Sequence, residues 1–125
     1  MSEFGLVVRE WQVDPETGEL DPADLDDLLT DKTRLVCFPH VSNIVASLND
    51  VALITRKAHD AGAWVCVDGV AYAPHRRMDV KDWDVDFYLF GFYKLYGPHI
   101  ACLYGKRGAI SAGRNQNHYF FGEEA

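Results

Sequence analysis

Basic charge is scarce in this sequence. Twelve Lys and Arg stand against nineteen Asp and Glu in 125 residues, a formal net charge of -7. Neutralising a phosphate backbone needs the opposite balance, so nucleic acid is excluded as the main partner. Long apolar runs are missing too. None approaches the ~20 residues that span a bilayer, and Met1-Ser2-Glu3-Phe4 is not the basic-then-apolar start of a secretory signal. No membrane partner is expected, and a cytoplasmic location is.

Cysteine is also sparse. Cys37, Cys66 and Cys102 are odd in number, sit inside apolar runs and form no C-x-x-C pair. Buried free thiols are expected, not disulfides or zinc ligands. His59, His75, His99 and His118 show no metal-ligand spacing. The G-x-G-x-x-G turn of nicotinamide folds and the G-x-x-x-x-G-K-[ST] loop are absent, as is a G-x-S-x-G elbow. Gly105-Lys106-Arg107-Gly108 reads as a turn with solvated charge. There is no repeat, low-complexity tract or linker. What remains is ordinary globular composition, 48% hydrophobic and 25% charged, in a chain long enough for one domain with a core.

Short apolar runs alternate with amphipathic stretches. Leu6 to Val13 reads as a strand. Asp21-Pro22 is a helix start, with Leu25, Leu28 and Leu29 following at helical spacing. Arg34 to Phe38 reads as a buried strand. Asn49 is the expected cap of a second helix with apolar positions Val51, Ile54, Ala58 and Ala61, stopped by Gly62. Trp64 to Val67, Phe87 to Phe90 and Ile100 to Tyr104 are three further strands. Strands buried on both faces and separated by helices predict an α/β fold, a mostly parallel sheet with helices on both faces. Ligands of such sheets bind beyond the carboxyl ends of the strands.

Three chemically distinct groups come after three successive strands: His40 after Phe38, Asp68 after Val67, and Lys94 shortly after Phe90. Singly, each has a plain structural reading: a loop histidine bonded to backbone, a helix-capping aspartate, a solvated lysine. Together, ending buried strands, they need partners to offset desolvation. Pyridoxal phosphate (PLP) chemistry gives a reason for all three types. An amine forms a Schiff base with the aldehyde, a carboxylate keeps the pyridine nitrogen protonated, and a flat side chain stacks on the ring.

Thr33-Arg34-Leu35-Val36, Pro39-His40-Val41-Ser42-Asn43, Val65-Cys66-Val67-Asp68-Gly69, Asp86-Phe87-Tyr88 and Tyr93-Lys94-Leu95-Tyr96-Gly97-Pro98-His99 stand in an order that resembles the class V aminotransferases, in their cysteine desulfurase-like branch. The resemblance runs from about Val13 to about Arg107. It implies the large domain of a fold type I PLP enzyme, with its last strand antiparallel. It implies Lys94 as the Schiff-base lysine, Asp68 as the partner of the pyridine nitrogen and His40 as the stacking ring. Tyr93 falls where many members place a phosphate-contacting histidine, and Asn43 belongs to the motif that carries His40. Two positions depart from the pattern. Ala71 replaces a Gln or His that bonds the cofactor's phenolic oxygen, with Tyr72 and His75 as neighbours able to compensate. Gly91 replaces a Ser or Thr that contacts the phosphate, leaving its backbone N–H.

The resemblance further implies an amino-acid substrate and a homodimeric parent enzyme. Residues 5–125 would be a partial large domain, with the phosphate-gripping segment before them and the small domain after them. Residues 1–4 would be an appended or alternative start. Phe120 and Phe121 would then be partly exposed. None of the three cysteines matches a desulfurase nucleophile. The alternative expectation is a non-catalytic remnant whose role is packing or dimerisation.

Overall fold

A computed structural model describes residues 5–113. Met1 to Phe4 and the aromatic tail with Phe120 and Phe121 lie outside the described residues. The elements run α1 (Asp24–Leu28), β1 (Leu35–Pro39), α2 (Val51–Asp60), β2 (Trp64–Asp68), β3 (Phe87–Gly91), a single 3-10 turn (Phe92–Leu95), β4 (Ala101–Gly105) and α3 (Arg107–Ala112). The four strands form one sheet in the order β1-β2-β3-β4. β1 pairs parallel with β2 and β2 with β3, while β3 and β4 are antiparallel. The expected sheet, mostly parallel with an antiparallel last strand, is therefore present.

The first crossover is the helix α2. Its Val51, Ile54 and Ala58 are buried, as their spacing requires, together with Thr55. Asp50, not Asn49, caps it: the Asp50 carboxylate accepts the Leu53 N–H at 2.9 Å. The Asn49 amide instead donates to the Pro39 carbonyl at 2.7 Å, pinning the loop that leaves β1. Gly62, at φ +77°, supplies the left-handed residue after the helix. The second crossover, 69–86, contains no assigned helix; it is a chain of turns. Pro74 and the carboxylates that bond nearby backbone, such as Asp79 with the Asp82 N–H, favour turns there.

Three further expectations are corrected. Leu6 to Val13 forms no strand, and Val7 and Val8 are 82% and 81% exposed. Side chains hold this segment instead: Trp11 packs edge-on to Phe38 and donates to the Asp21 carbonyl, and Arg9 donates to the Leu28 carbonyl. The strands β1 and β2 are not buried on both faces, since exposure alternates along each of them. One face, with Val36, Phe38, Val65, Val67 and Tyr88, forms a single core with Leu25 of α1 and the apolar positions of α2. The other face carries Leu35, Trp64 and Leu103, all exposed, and touches α3 through Ile110 against Gly105. The cysteines, finally, are free but not buried: Cys37 is exposed and Cys66 and Cys102 are half-buried. Cys37 and Cys66 fall on the less covered face.

Candidate functional site

The register places Pro39 beside Asp68 and Asp68 beside Leu89, so β1 and β2 end level and β3 runs on past them to Gly91. His40, Asp68 and the turn bearing Lys94 thus share the carboxyl end of the sheet. Main-chain bonds fix this edge: the His40 N–H donates to the Asp68 carbonyl and the Gly69 N–H to the Leu89 carbonyl, both at 2.8 Å.

The side chains diverge from there. Asp68 is exposed and lines an open groove of about 430 Å³ with Cys37, Phe38, Pro39, Cys66 and Leu89. Its Oδ1 accepts the Val70 N–H at 2.9 Å, and its Oδ2 has no bond among the described residues. His40 continues the alternation of β1 onto the core side and is only 4% exposed. Its Nδ1 lies 2.9 Å from the Tyr88 hydroxyl. Its ring is stacked on Tyr72, centroids 3.6 Å apart and 9° between planes, and meets Trp83 at right angles. Burial pulls the imidazole down to about 4, so it is neutral near pH 7. Burial, reinforced by Tyr72 and Asp68, pushes the Tyr88 phenol above its ordinary range. That hydroxyl keeps its proton and can donate it to His40.

Lys94 is partly buried in the 3-10 turn, and its amine has no bond or ion pair among the described residues. Gly97 N–H to Phe92 O and Phe92 N–H to Ile100 O close the surrounding turn, both at 2.9 Å. Tyr96, at φ +61°, ends it in the left-handed region. Tyr93 is 48% exposed and stacks parallel to His99. Gly91 is buried beneath Tyr93: a Cβ there would lie 2.8 Å from the Tyr93 ring. Ala71 faces a separate cavity of about 200 Å³, with Tyr72, His75 and Arg76. Asn43 is exposed in the turn after β1, outside the groove.

Sequence reasoning missed Tyr88 and Gly69. Tyr88 sits in an apolar run, yet a fully buried phenol needs a partner, and that requirement is the signal that leads to His40. Gly69 makes the contact possible. A Cβ at that position would come within 2.1 Å of the Tyr88 ring.

The Aminotransferase class-V family model matches residues 1–117. This chain belongs to the class V aminotransferase family. It is similar to an aminotransferase-like protein of Gibberella zeae, 48% identical over 86% of this chain and 27% of that protein. It is also similar to a cysteine desulfurase of Dickeya dadantii, 45% identical over 86% of this chain and 26% of that one. The solved structure of the cysteine desulfurase CsdA from Escherichia coli superposes with a TM-score of 0.74 at 37% identity, over 80% of this chain and 25% of its own. The chain spans about a quarter of the length of these relatives.

Members of this family depend on PLP, and the residues can be tested against that cofactor. Asp68 fits: its second oxygen is open on a groove at the correct end of the sheet. Lys94 fits, with an amine that has no partner among the described residues. His40 does not fit as it stands, because Tyr72 covers one face of its ring. Among the described residues, no helix is long and apolar enough to cross a membrane.

Proposed function

We propose that this chain carries the cofactor-holding strand ends of a PLP-dependent enzyme that acts on an amino acid, in the cysteine desulfurase-like branch. One observation carries the reading. In a class V aminotransferase chain, the Asp68 carboxylate ends a sheet strand on an open groove with one oxygen fixed by the Val70 N–H and the other without a partner among the described residues.

Asp68 is the carboxylate that would hold the pyridine nitrogen protonated. Its bond from Val70 restrains the side chain, so little freedom is lost when the second oxygen accepts a partner. Lys94 supplies the amine for covalent attachment of the cofactor and for moving a proton at Nζ. The bound ring's chemistry is to withdraw electrons from the α-carbon of the amino acid. His40 becomes a stacking surface only when Tyr72 leaves its face; as a neutral ring it can stack without burying a charge. Tyr93 and the backbone N–H of Gly91 are the groups proposed for the phosphate end, and Asn43 for the rim. Ala71 adds no polar group, which weakens the hold on the phenolic oxygen by one hydrogen bond, about 1.5–3 kcal/mol when the oxygen is charged. The parent enzyme is proposed to be a homodimer, with residues 5–125 part of its large domain.

The test is direct. PLP is added to the full chain, borohydride is applied, and peptides are mapped by mass spectrometry. Yellow colour and a reduced adduct on Lys94, lost in Lys94→Ala, are expected. A folded chain that stays colourless, or is labelled equally at other lysines, overturns the reading. The stack of Tyr72 on His40 and the apolar Ala71 favour one alternative, a remnant that packs or dimerises without cofactor, and that result would support it.

A further inference from the structure

Cys37 and Cys66 are direct partners in the register of β1 and β2. Strand alternation puts both on the less covered face, and both line the groove that ends at Asp68. Cys37 is exposed and Cys66 half-buried. Partial desolvation raises both thiols above their ordinary range, so they stay protonated near neutral pH. Cys102, on β4 beside Phe90, faces the opposite side and has no thiol neighbour. It completes the chain's three cysteines.

The spacing decides what the pair can bind. Neighbouring strands run about 4.7–4.9 Å apart, and in-register side chains on one face keep roughly that separation. A disulfide needs Cβ atoms about 3.5–4.5 Å apart. Direct closure therefore requires the strands to move. One atom inserted between the sulfurs, with bonds of about 2.3 Å as in zinc thiolates, spans the gap without such movement. No third side chain of metal-binding type joins them among the described residues. Asp68 offers only hard oxygen. A site of two soft sulfurs and no third ligand selects a soft centre of low coordination number.

We propose that Cys37 and Cys66 form a dithiol site for a soft thiophilic centre, of the class of trivalent arsenicals, and not a disulfide. The reaction balances without a redox step. An organoarsenic(III) oxide forms two As–S bonds, and its oxygen leaves with both thiol protons as one water.

The full chain is titrated with phenylarsine oxide and followed by intact mass and thiol counting. One arsenical per chain and loss of two reactive thiols are expected, reversed by a dithiol and not by a monothiol. Joining two sulfurs in one site multiplies affinity by at least about a hundredfold, so Cys37→Ser, Cys37→Ala and Cys66→Ser each weaken binding by that factor. Cys102→Ser leaves it unchanged. Circular dichroism confirms that each variant is folded. Equal affinity in wild type and a folded Cys37 variant overturns the proposal, as does an arsenical held by Cys102. Treatment with peroxide supplies the other arm: a Cys37–Cys66 disulfide in high yield would show that the strands approach closely enough for closure and would overturn the preference for an inserted atom.

Discussion

The two ends of the sheet hold the same three residue types and use them in opposite ways. At the amino end, Asp86 is buried, and one of its oxygens accepts both His59 Nε2 at 2.9 Å and the Val65 N–H at 2.8 Å. Its carbonyl takes the Lys106 N–H, while the Lys106 amine pairs with Asp84. Every group there has a partner, and together they tie α2, β2, β3 and the end of β4. At the carboxyl end, Asp68 keeps one oxygen open, the Lys94 amine is unpaired among the described residues, and His40 is turned into the core. Composition alone does not distinguish a structural cluster from a binding one. Closure of the hydrogen bonds does: satisfied polar groups fix a fold, and unsatisfied ones at an accessible edge are available to a ligand.

The comparison is broken most easily at Asp86. Asp86→Ala removes one acceptor from two buried or half-buried donors, at a cost of about 3 kcal/mol. Urea unfolding measures it; a cost below about 1 kcal/mol would show that the amino-end cluster is not what holds the strands. The next effect belongs to His40. Its imidazolium is disfavoured in the fold, where it titrates at about 4, relative to an unfolded value of 6.5. The unfolded state therefore binds the proton first as pH falls. Stability is complete above about pH 6.5 and declines toward pH 4, by roughly 3 kcal/mol. His40→Gln should flatten that slope; an unchanged slope would place the titrating group elsewhere.

Gly69 comes third. Gly69→Ala drives a methyl into the Tyr88 ring and should cost about 2 kcal/mol. If the clash is the cause, the same change is cheaper when Tyr88 is already Leu, which a double-mutant cycle detects. Tyr72→Ala should cost only about 1 kcal/mol, the scale of one aromatic pair. By uncovering His40 it should also tighten PLP binding, read as a lower Kd by absorbance titration. Weaker binding would make Tyr72 itself part of the platform.

Much of this arrangement is legible in the sequence, for definite reasons. The apolar runs at Leu35, Trp64, Phe87 and Ala101 mark all four strands to within about a residue, because a short run between turn formers has few other uses. His40, Asp68 and Lys94 stand just past three of those runs, where the carboxyl ends of parallel strands open to ligands. Faces are not legible. A wholly apolar run such as Trp64 to Val67 does not reveal that Trp64 is 41% exposed while Val65 is fully buried. The pattern at Leu6 to Val13 satisfies strand propensity, but a strand also needs a ladder partner, which propensity cannot supply. Asn49 and Asp50 are both competent caps, and only the position of the Pro39 carbonyl assigns Asn49 elsewhere. Tyr72 lies one residue past the expected polar position, and its stack on His40 depends on the path of 69–86, whose turns leave no periodic signal.

The smallest expected effect on stability is the sharpest test of the contrast. Asp68→Asn keeps an oxygen that can accept the Val70 N–H, so the turn after β2 survives. The side chain is exposed, so no buried group loses a partner. Stability should stay within about 0.5 kcal/mol of wild type. The negative charge is what disappears, and with it the group proposed to hold the pyridine nitrogen protonated. PLP affinity should then fall at least about tenfold, the scale of one charge-assisted hydrogen bond. Asp86→Asn should do the reverse: the buried cluster loosens while the open edge is untouched, so stability falls and PLP binding by the folded fraction does not change. If both variants lose stability and cofactor in parallel, the two ends are one cooperative unit, and the division between a closed structural cluster and an open binding edge does not hold.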